Sequence, residues 1–261
     1  MIKVNKLSKI HESPVNEINV LQKLFLGKKN KELERKTQFF ALKNVSFEID
    51  TNEKVFVLGD TASGKSTLYS ILAKKIDHDY GKVEMSNNFF STSFIRIPPN
   101  LVPGLKIKNY IKTLLSFYLK TNIGEISKVT EKILELLLIS KSDEDKYFYE
   151  YESAFFSKLM IAISCFSKAK IYLYDNFYFS LKNTNVCKLL DFNFQQNKKA
   201  SYVFFGCRDI DLIKKYSTKI LVLKSGMLDK YSLTKDFTDS ELKDLINKNK
   251  IAEELVEEDD I

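Results

Sequence analysis

Glycine and proline, which interrupt helices and strands, are scarce in this sequence of 261 residues, with 8 glycines and 4 prolines, and tryptophan is absent. Collagen-like and linker-rich architectures are therefore excluded. The three cysteines, Cys165, Cys187 and Cys207, are an odd number and lack the spacing of metal ligands. This pattern fits a protein of the reducing cytosol better than a disulfide-stabilised one.

Long apolar runs are also missing. The longest stretch without a charged side chain runs from Met85 to Ile95, well short of the roughly 20 apolar residues that a membrane-spanning helix needs. The first residues, from Met1 to Lys9, have no apolar core like that of a secretory signal peptide. The sequence therefore predicts a cytoplasmic protein without a transmembrane helix.

Apolar and basic residues are plentiful. The chain is 44% hydrophobic and 13% aromatic, which suffices for a buried core and excludes a wholly disordered chain. The net charge is +7, and a basic body suits nucleic acid, anionic lipid or nucleotide phosphates, although a lysine-rich solvated surface gives the same charge. The final ten residues, predicted to be a frayed terminus, contain no base and six acids: Glu253, Glu254, Glu257, Glu258, Asp259 and Asp260.

Apolar strand patterns alternate with helical patterns along the chain, which is typical of the α/β class. The runs after Lys54 and around Leu173 and Phe204 suggest strands buried on both faces, as in a parallel sheet covered by helices. From Leu105 to about Ser167, helical patterns occur without a convincing strand, which predicts a helical insertion. The strand patterns occupy Ile2–Leu7, Val45–Ile49, Lys54–Leu58, Lys82–Met85, Ser93–Ile97, Ile171–Asp175, Tyr202–Phe205 and Lys219–Leu223.

One segment matches the phosphate-binding pattern G-x4-G-K-[ST]. Its two glycines allow the tight turn that points backbone N–H groups at a phosphate, and the following helix adds the positive end of its dipole. Lys65 is predicted to reach the β- and γ-phosphates, and the Ser66 hydroxyl is predicted to bind Mg²⁺. The segment consists of Gly59, Asp60, Thr61, Ala62, Ser63, Gly64, Lys65, Ser66 and Thr67.

A phosphate-binding loop of this kind needs a second, acidic element for its metal. Asp175 follows the apolar run Ile171–Tyr174, which puts its carboxylate at the carboxyl end of a strand, where ligands of open α/β sheets bind. Any strand can end in an aspartate, but beside a phosphate loop Asp175 is predicted to lie on the metal side of the nucleotide.

With these motifs in place, the sequence resembles the ATP-binding subunits of ABC transporters. Phe40–Ile49 before the loop and Tyr80–Val83 after it follow the running order of that family, and the resemblance spans roughly residues 1–235. It implies ATP and Mg²⁺ as cofactors. It also implies a P-loop NTPase core in residues 1–240, with a mostly parallel sheet, an N-terminal antiparallel β portion and a helical subdomain at about 105–167, followed by a C-terminal helix and acidic tail at 241–261.

The start of the chain is most similar to the subunits that export O-antigen, teichoic acid and related cell-surface polysaccharides. Ile2–Lys9 is followed by a lysine-rich insertion with Leu24–Gly27 before Phe40–Leu42, and Pro103, Leu105 and Ile111 also match that subgroup. The resemblance implies a soluble subunit that docks on a separately encoded membrane subunit at the cytoplasmic face of the inner membrane. Two such subunits, either a homodimer or a heterodimer with a sister chain, would sandwich two ATP molecules head to tail.

Several positions depart from the family's pattern. Asn176 stands where a glutamate activates the attacking water, and Arg208 stands where a switch histidine follows the next strand. The signature segment becomes Glu152–Ser153–Ala154, with Ala154 in place of a glycine. Three further changes are Leu181–Lys182 in the D-loop, Arg96 near the expected γ-phosphate contact, and His11 in place of the aromatic residue that stacks on adenine.

These changes predict binding without efficient turnover, because no catalytic position is intact. Asn176 can orient a water but cannot accept its proton at neutral pH, and losing a positioned acid–base group usually costs about 10²- to 10⁴-fold in rate. Arg208 cannot shuttle a proton, although a guanidinium can clamp a γ-phosphate. Ala154 adds a Cβ where glycine would let the facing helix N-terminus approach the phosphate.

Two alternatives remain open from the sequence. One is a divergent but active exporter ATPase in which Arg208 and a carboxylate such as Glu150 or Glu152 compensate for the changed positions. The other is a non-catalytic scaffold that holds nucleotide as a structural plug. A P-loop GTPase or a small-molecule kinase fits less well, because the chain has neither an Asn-Lys-x-Asp element nor an arginine-rich lid.

Two regions of the sequence bear on macromolecular partners, namely a basic cluster and the helical region. Nucleic acid is not expected as a partner, because the basic cluster fits a surface that faces the inner membrane or solvent better than a nucleic-acid interface. By the resemblance, the helical region at 105–167 would dock the membrane subunit, with Tyr118, Tyr147 and Phe148 as candidates for exposure, although each also fits the core. The basic cluster consists of Lys28, Lys29, Lys31, Arg35 and Lys36.

Overall fold

The structure is a computed structural model that describes residues 1–13, 37–92, 104–119, 122–175, 177, 179 and 182–246. Its strands are β1 (Ile2–Ser13), β2 (Thr37–Ile49), β3 (Lys54–Leu58), β4 (Tyr80–Met85), β5 (Phe89–Ser91), β6 (Ile171–Tyr174), β7 (Ser201–Phe205), β8 (Lys219–Lys224) and β9 (Met227–Leu233). Its helices are α1 (Lys65–Leu72), α2 (Ile107–Tyr118), α3 (Ile123–Leu136), α4 (Ser153–Ser164), α5 (Thr184–Gln196) and α6 (Ile210–Tyr216). Residues 239–246 are also helical, and short 3-10 turns occupy Phe148–Glu150 and Thr234–Asp236.

The larger sheet has six strands in the order β5-β6-β7-β3-β8-β9. Its pairings are parallel from β5 to β8, and β9 runs antiparallel to β8. On β3, Val55 and Val57 enter one hydrophobic core while Phe56 and Leu58 enter another on the opposite face. Both faces are therefore covered, which confirms the prediction of a mostly parallel, doubly buried sheet.

The smaller sheet is antiparallel, in the order β2-β1-β4, and brings together the N-terminal strands. Its apolar side chains share a core with α1 and with one face of the larger sheet; Ile2, Val45 and Ile49 are fully buried there. The predicted antiparallel N-terminal portion is confirmed. Because β1 and β2 pair as far as Ser13 and Thr37, they form a ribbon that extends past the end of β4.

Between β5 and β6 the described residues form α2, α3 and α4 and no strand. The amphipathic faces of α2 and α3 bury Ile111, Leu115 and Ile133 against the larger sheet's core. Helix α3 starts at an effective cap, since Asn122 Oδ1 accepts the Glu125 N–H at 2.9 Å. None of the helices in the described part of the chain has the length and apolarity needed to cross a bilayer.

The three aromatic residues for which exposure and burial were both open differ. Phe148 is buried and stacks on Tyr110 with ring centroids 4.6 Å apart, Tyr118 is half-buried, and Tyr147 is exposed. Strands β5 and β9 were not predicted, because β5 has only three residues and β9 has no buried position. The predicted strand Ser93–Ile97 lies outside the described residues.

Candidate nucleotide-binding site

The predicted phosphate loop joins the buried strand β3 to helix α1. Its two glycines are required because a Cβ atom at either position would collide with a neighbouring carbonyl oxygen. Gly59 has φ +145°, and a Cβ there would lie 2.1 Å from the Leu223 carbonyl oxygen. Gly64 has φ +99°, and a Cβ there would lie 2.6 Å from the Ala41 carbonyl oxygen. Neither position accommodates a side chain, so the backbone itself lines the loop.

The start of α1 leaves backbone N–H groups for an anion. Gly64 occupies the N-cap position, and no side chain caps the helix. The first N–H groups of a helix have no partner within the helix, and they lie at the positive end of its dipole. Ala62 also adopts a left-handed conformation, with φ +60°, which is uncommon for a residue with a Cβ and typical of ligand-binding loops. This is the geometry of a phosphate site.

Lys65 places its ammonium group across the mouth of the loop. Its Nζ donates to the carbonyl oxygens of Gly59 and Asp60 at 2.6 and 2.7 Å, and to Ser63 Oγ at 3.2 Å. The cation is thus held over the turn by short contacts from residues of the same loop. A bound polyphosphate would meet a positive charge that is already in position.

A second turn supports the loop from the side, and sequence reasoning missed it. The Gly226 N–H donates to the Ser63 carbonyl at 3.1 Å, and the Gly226 carbonyl accepts the Lys43 N–H at 2.8 Å. Gly226 has φ +75°, and a Cβ there would lie 2.8 Å from the Ala41 carbonyl oxygen. The Ser225–Gly226 pair between two apolar runs was the available signal, but its spatial partner is more than 150 residues away in the chain.

Asp175 follows β6, two strands from β3 in the larger sheet. Because β3, β7 and β6 are parallel, Asp175 and the loop lie at the same carboxyl edge. The Asp175 N–H donates to Thr92 Oγ1 at 2.9 Å, which fixes the backbone there, and the carboxyl-bearing residue is half-buried.

The metal side has the donors that Mg²⁺ prefers. Ser66, in the first turn of α1, is exposed and offers a hydroxyl, and Asp175 offers a carboxylate. Among the described residues, no group of three or more His, Cys, Asp or Glu side chains is poised to hold a metal. Mg²⁺ needs no such cage, since it usually takes one or two protein oxygens together with phosphates and water. The chemistry of these residues therefore fits ATP–Mg²⁺.

His11 lies beside the loop. Its Nε2 is 3.4 Å from Thr67 Oγ1, and across the β1–β2 ribbon its ring centroid is 6.1 Å from that of Phe39. Asp79 anchors the neighbouring backbone by accepting the Ile10 N–H at 2.6 Å; this bond, helped by Lys9, holds the pKa of Asp79 below its usual range. Phe39 was not among the predicted site residues, because only the pairing of β1 with β2 places it against His11.

The positions linked to hydrolysis are partly described. Arg208 follows β7 at the same sheet edge and is half-buried. Burial raises the pKa of the adjacent Cys207 thiol to about 12, so that group stays protonated and is no nucleophile at neutral pH. Asn176, Arg96 and Leu181 lie outside the described residues.

The signature segment lies at the start of α4, where Glu152 is the N-cap residue and Ser153 begins the helix. Glu150 precedes it, and its Oε2 accepts the Tyr147 N–H at 2.5 Å. This bond ties the Glu150 carboxylate to its own 3-10 turn.

Comparison with known proteins identifies the family. The family model described as ABC transporter matches residues 42–178, more than half of the chain. The chain belongs to the ABC transporter family. Membership implies ATP binding, and the matched residues include the whole of the phosphate loop and Asp175.

Curated relatives of this ABC transporter domain include export proteins. The chain is 28% identical over 242 residues to the teichoic acids export ATP-binding protein TagH of Bacillus anthracis, covering 90% of this chain and 41% of that protein. TagH of Shouchella clausii is 28% identical over 238 residues, covering 86% and 61%. The phosphonates import ATP-binding protein PhnC of Fusobacterium nucleatum is 25% identical over 229 residues, covering 77% and 90%. The chain thus spans about two fifths to three fifths of the TagH relatives.

Solved structures establish the fold. The ATP-binding cassette MJ0796, in a dimeric post-hydrolysis state with ADP and Pi, has a TM-score of 0.67 at 18% identity, covering 89% of this chain and 98% of that one. An ATP-binding subunit of an ABC transporter has a TM-score of 0.66 at 15% identity, covering 90% and 91%. The prediction of an ABC-type P-loop NTPase fold is confirmed.

Proposed function

We propose that this chain is the ATP-binding subunit of an ABC-type exporter of cell-surface polysaccharide or a related glycoconjugate. The observation on which the proposal rests is the phosphate loop, where Gly59 and Gly64 exclude side chains, α1 starts without a side-chain cap, and the Lys65 ammonium spans the mouth. Export is supported by the TagH relatives, which match more of this chain and at higher identity than the import protein PhnC.

In this proposal each polar group has one role. The loop backbone from Gly59 to Thr67 and Lys65 bind the phosphates, and Ser66 and Asp175 bind Mg²⁺. Bound ATP–Mg²⁺ supplies the transferable γ-phosphoryl group. His11, beside Thr67, lies where it can contact the nucleoside side of the ligand.

We also infer that hydrolysis by the chain alone is weak. Asn176 has no basic group for the attacking water, Arg208 replaces a proton-shuttling histidine, and Ala154 replaces a glycine in the signature segment. In the rival proposal, that of an active ATPase, Glu150 or Glu152 would act as the base. The bond from Tyr147 to the Glu150 carboxylate weighs against Glu150, because it leaves that group committed to its own turn.

The partners follow from the same proposal. The chain would pair with a second copy or a sister subunit and dock on a membrane subunit, which places it at the cytoplasmic face of the membrane. The MJ0796 cassette is dimeric, which supports pairing. In the helical region, Tyr147 and Tyr149 are exposed and stack on each other with ring centroids 5.4 Å apart; they are our candidates for the membrane-subunit contact.

The first test is the affinity for ATP–Mg²⁺ of the Lys65→Ala variant, measured by calorimetry. Removing a charge-assisted contact to phosphate should weaken binding by about 10- to 100-fold, because hydrogen bonds to charged groups contribute roughly 1.5–3 kcal/mol. Lys74→Ala is the matched control: Lys74 follows α1 and donates to Asn87 Oδ1 instead of the loop, so its loss should leave affinity unchanged. Equal affinity of Lys65→Ala and the unmodified chain would contradict the site assignment.

A further inference from the structure

Helix α1, which carries Ser66 in its first turn, has a buried tyrosine one turn later. Tyr69 has only 1% of its surface exposed, and a phenol at that depth needs hydrogen-bond partners. Its OH lies 2.7 Å from Ser91 Oγ and 3.4 Å from Thr92 Oγ1. These partners lie at the end of β5, which is three strands away from β3, the strand that leads into the phosphate loop.

Tyr69 reaches the end of β5 by crossing strand β7. Its ring packs edge-on against Phe205, at the carboxyl end of β7, with centroids 5.2 Å apart. Strand β7 separates β3 from β6. Since neighbouring strands lie about 4.8 Å apart, the strand before the loop and the strand before Asp175 are about 10 Å apart. Tyr69 has both the length and the polar end that a connection across this distance needs.

Thr92 forms the other half of the connection. Its N–H donates to the Leu173 carbonyl oxygen at 3.0 Å, and its Oγ1 accepts the Asp175 N–H at 2.9 Å. Because the amide can only donate, the Thr92 oxygen accepts there, and its own proton is available to the Tyr69 oxygen. The Tyr69 proton is then available to Ser91 Oγ. The hydroxyl groups thus join the backbone of Asp175 to helix α1 in a chain that gives every proton an acceptor.

This chain connects the two proposed magnesium ligands. Ser66 precedes Tyr69 by three residues, which makes them neighbours on one side of the helix, and the other end of the chain is the Asp175 backbone. Mg²⁺ demands near-ideal octahedral geometry, with oxygens at about 2.1 Å. A ligand that shifts therefore weakens the binding of the metal.

We propose that Tyr69 and Thr92 are positioning residues, which fix the Asp175 backbone relative to Ser66 and so set the separation of the two oxygens that bind Mg²⁺. This assignment rests on the proposed ATP–Mg²⁺ function. It adds to that function two residues that act through Asp175 instead of binding the metal themselves.

The test compares the affinity of the full chain for ATP with Mg²⁺ and for ATP in EDTA, both measured by calorimetry. Thr92→Val removes the hydroxyl and keeps the shape of the side chain. It should reduce the gain in affinity that Mg²⁺ brings by about 2- to 10-fold, the usual effect of one hydrogen bond, and leave metal-free binding unchanged. Tyr69→Phe should act in the same direction. Thr92→Ser retains the hydroxyl and should keep the full gain.

Tyr172→Phe is the matched control. Tyr172 is also a buried tyrosine and belongs to β6 itself, but its OH accepts the Ala169 N–H at 3.1 Å near the amino end of the strand. Loss of this hydroxyl removes a buried hydrogen bond without touching Thr92 or Asp175, so the gain from Mg²⁺ should not change. Thermal melting checks that each variant is folded.

Other outcomes separate the two levels of the proposal. If the unmodified chain does not bind ATP, or binds it equally with and without Mg²⁺, the proposed function is wrong on that point and the positioning role is wrong with it. If Mg²⁺ raises the affinity of the unmodified chain and Thr92→Val keeps the full gain, the positioning role alone is overturned. Equal losses with and without Mg²⁺ in Thr92→Val would show a general structural effect and would also overturn it.

Discussion

Lys65 holds its ammonium on two backbone carbonyls and one hydroxyl of its own loop, so the positive charge is in place before a polyphosphate arrives. In the proposed function, phosphate oxygens would replace some of these loop oxygens as acceptors for the ammonium. The proposed weakness of hydrolysis concerns different residues. Arg208 is a second cation at the same sheet edge, able to attract a γ-phosphate but unable to take up a proton, and Asn176 lacks a basic oxygen.

We expect Asn176→Glu alone to give little rescue of hydrolysis, because residues that act as a unit are strongly non-additive. Combined with Arg208→His and Ala154→Gly, it should raise the rate of phosphate release by about 10²-fold or more, the usual contribution of a positioned base. Adding Lys65→Ala to the triple variant is the control and should abolish the gain. Brisk turnover by the unmodified chain without a partner would contradict weak hydrolysis and favour the active-exporter alternative.

Helix α5 is fixed to the sheet by a buried polar cluster. Asn193, which is fully buried, donates to Ser164 Oγ at 2.8 Å and to Tyr174 OH at 2.9 Å, and its Oδ1 accepts from Tyr202 OH at 3.2 Å. The cluster thus joins α5, α4, β6 and β7. Burial raises the pKa of Tyr174 and of Tyr202 far above the ordinary value, so both phenols stay neutral at any physiological pH.

We predict that Asn193→Ala lowers the free energy of unfolding by about 2–4 kcal/mol, because it leaves several buried groups without partners and opens a small cavity. Since the phenols keep their protons, the loss should be the same at pH 6 and pH 8. Gln195→Ala, an exposed amide on the same helix, should change stability by less than about 0.5 kcal/mol. Denaturant unfolding of both variants is the measurement; a loss under 1 kcal/mol in Asn193→Ala would show that the cluster is not structural.

At the scale of the molecule, the larger sheet separates two cores, one shared with the antiparallel N-terminal sheet and one shared with the helical region. The phosphate loop and Asp175 lie at the carboxyl edge of this sheet, which a second subunit would cover in the proposed head-to-tail pair. ATP can favour the closed pair only by binding it more tightly than the separate chains.

A nucleotide-dependent dimer is therefore expected. In ATP–Mg²⁺ the unmodified chain should sediment as a dimer that persists during the experiment, because the weak hydrolysis that we propose would leave the γ-phosphate in place. In ADP–Mg²⁺ it should be monomeric. Lys65→Ala should stay monomeric in both. A chain that remains monomeric in saturating ATP would contradict self-pairing and favour a sister subunit.

The sequence determined those features that depend on neighbouring residues. The loop pattern gives Gly59, Gly64 and Lys65 their positions because a turn with left-handed backbone needs glycine and a helix start offers free N–H groups. The apolar runs of β3, β6 and β7 predicted strands buried on both faces, because a strand covered on both sides has no polar face. Family resemblance added the overall architecture, while the assignment of individual site residues and of domain boundaries stays a prediction.

Only the tertiary structure decided which distant residues meet. Gly226 supports Ser63 because β8, which ends just before Gly226, pairs with β3, which ends just before the loop. Phe39 lies against His11 because the two residues are paired across β1 and β2. Phe148 is buried because Tyr110 of α2 covers it, which no local pattern encodes. Side-chain periodicity fixes the face on which a residue lies, but the partner on that face is set by packing between elements that are far apart in the chain.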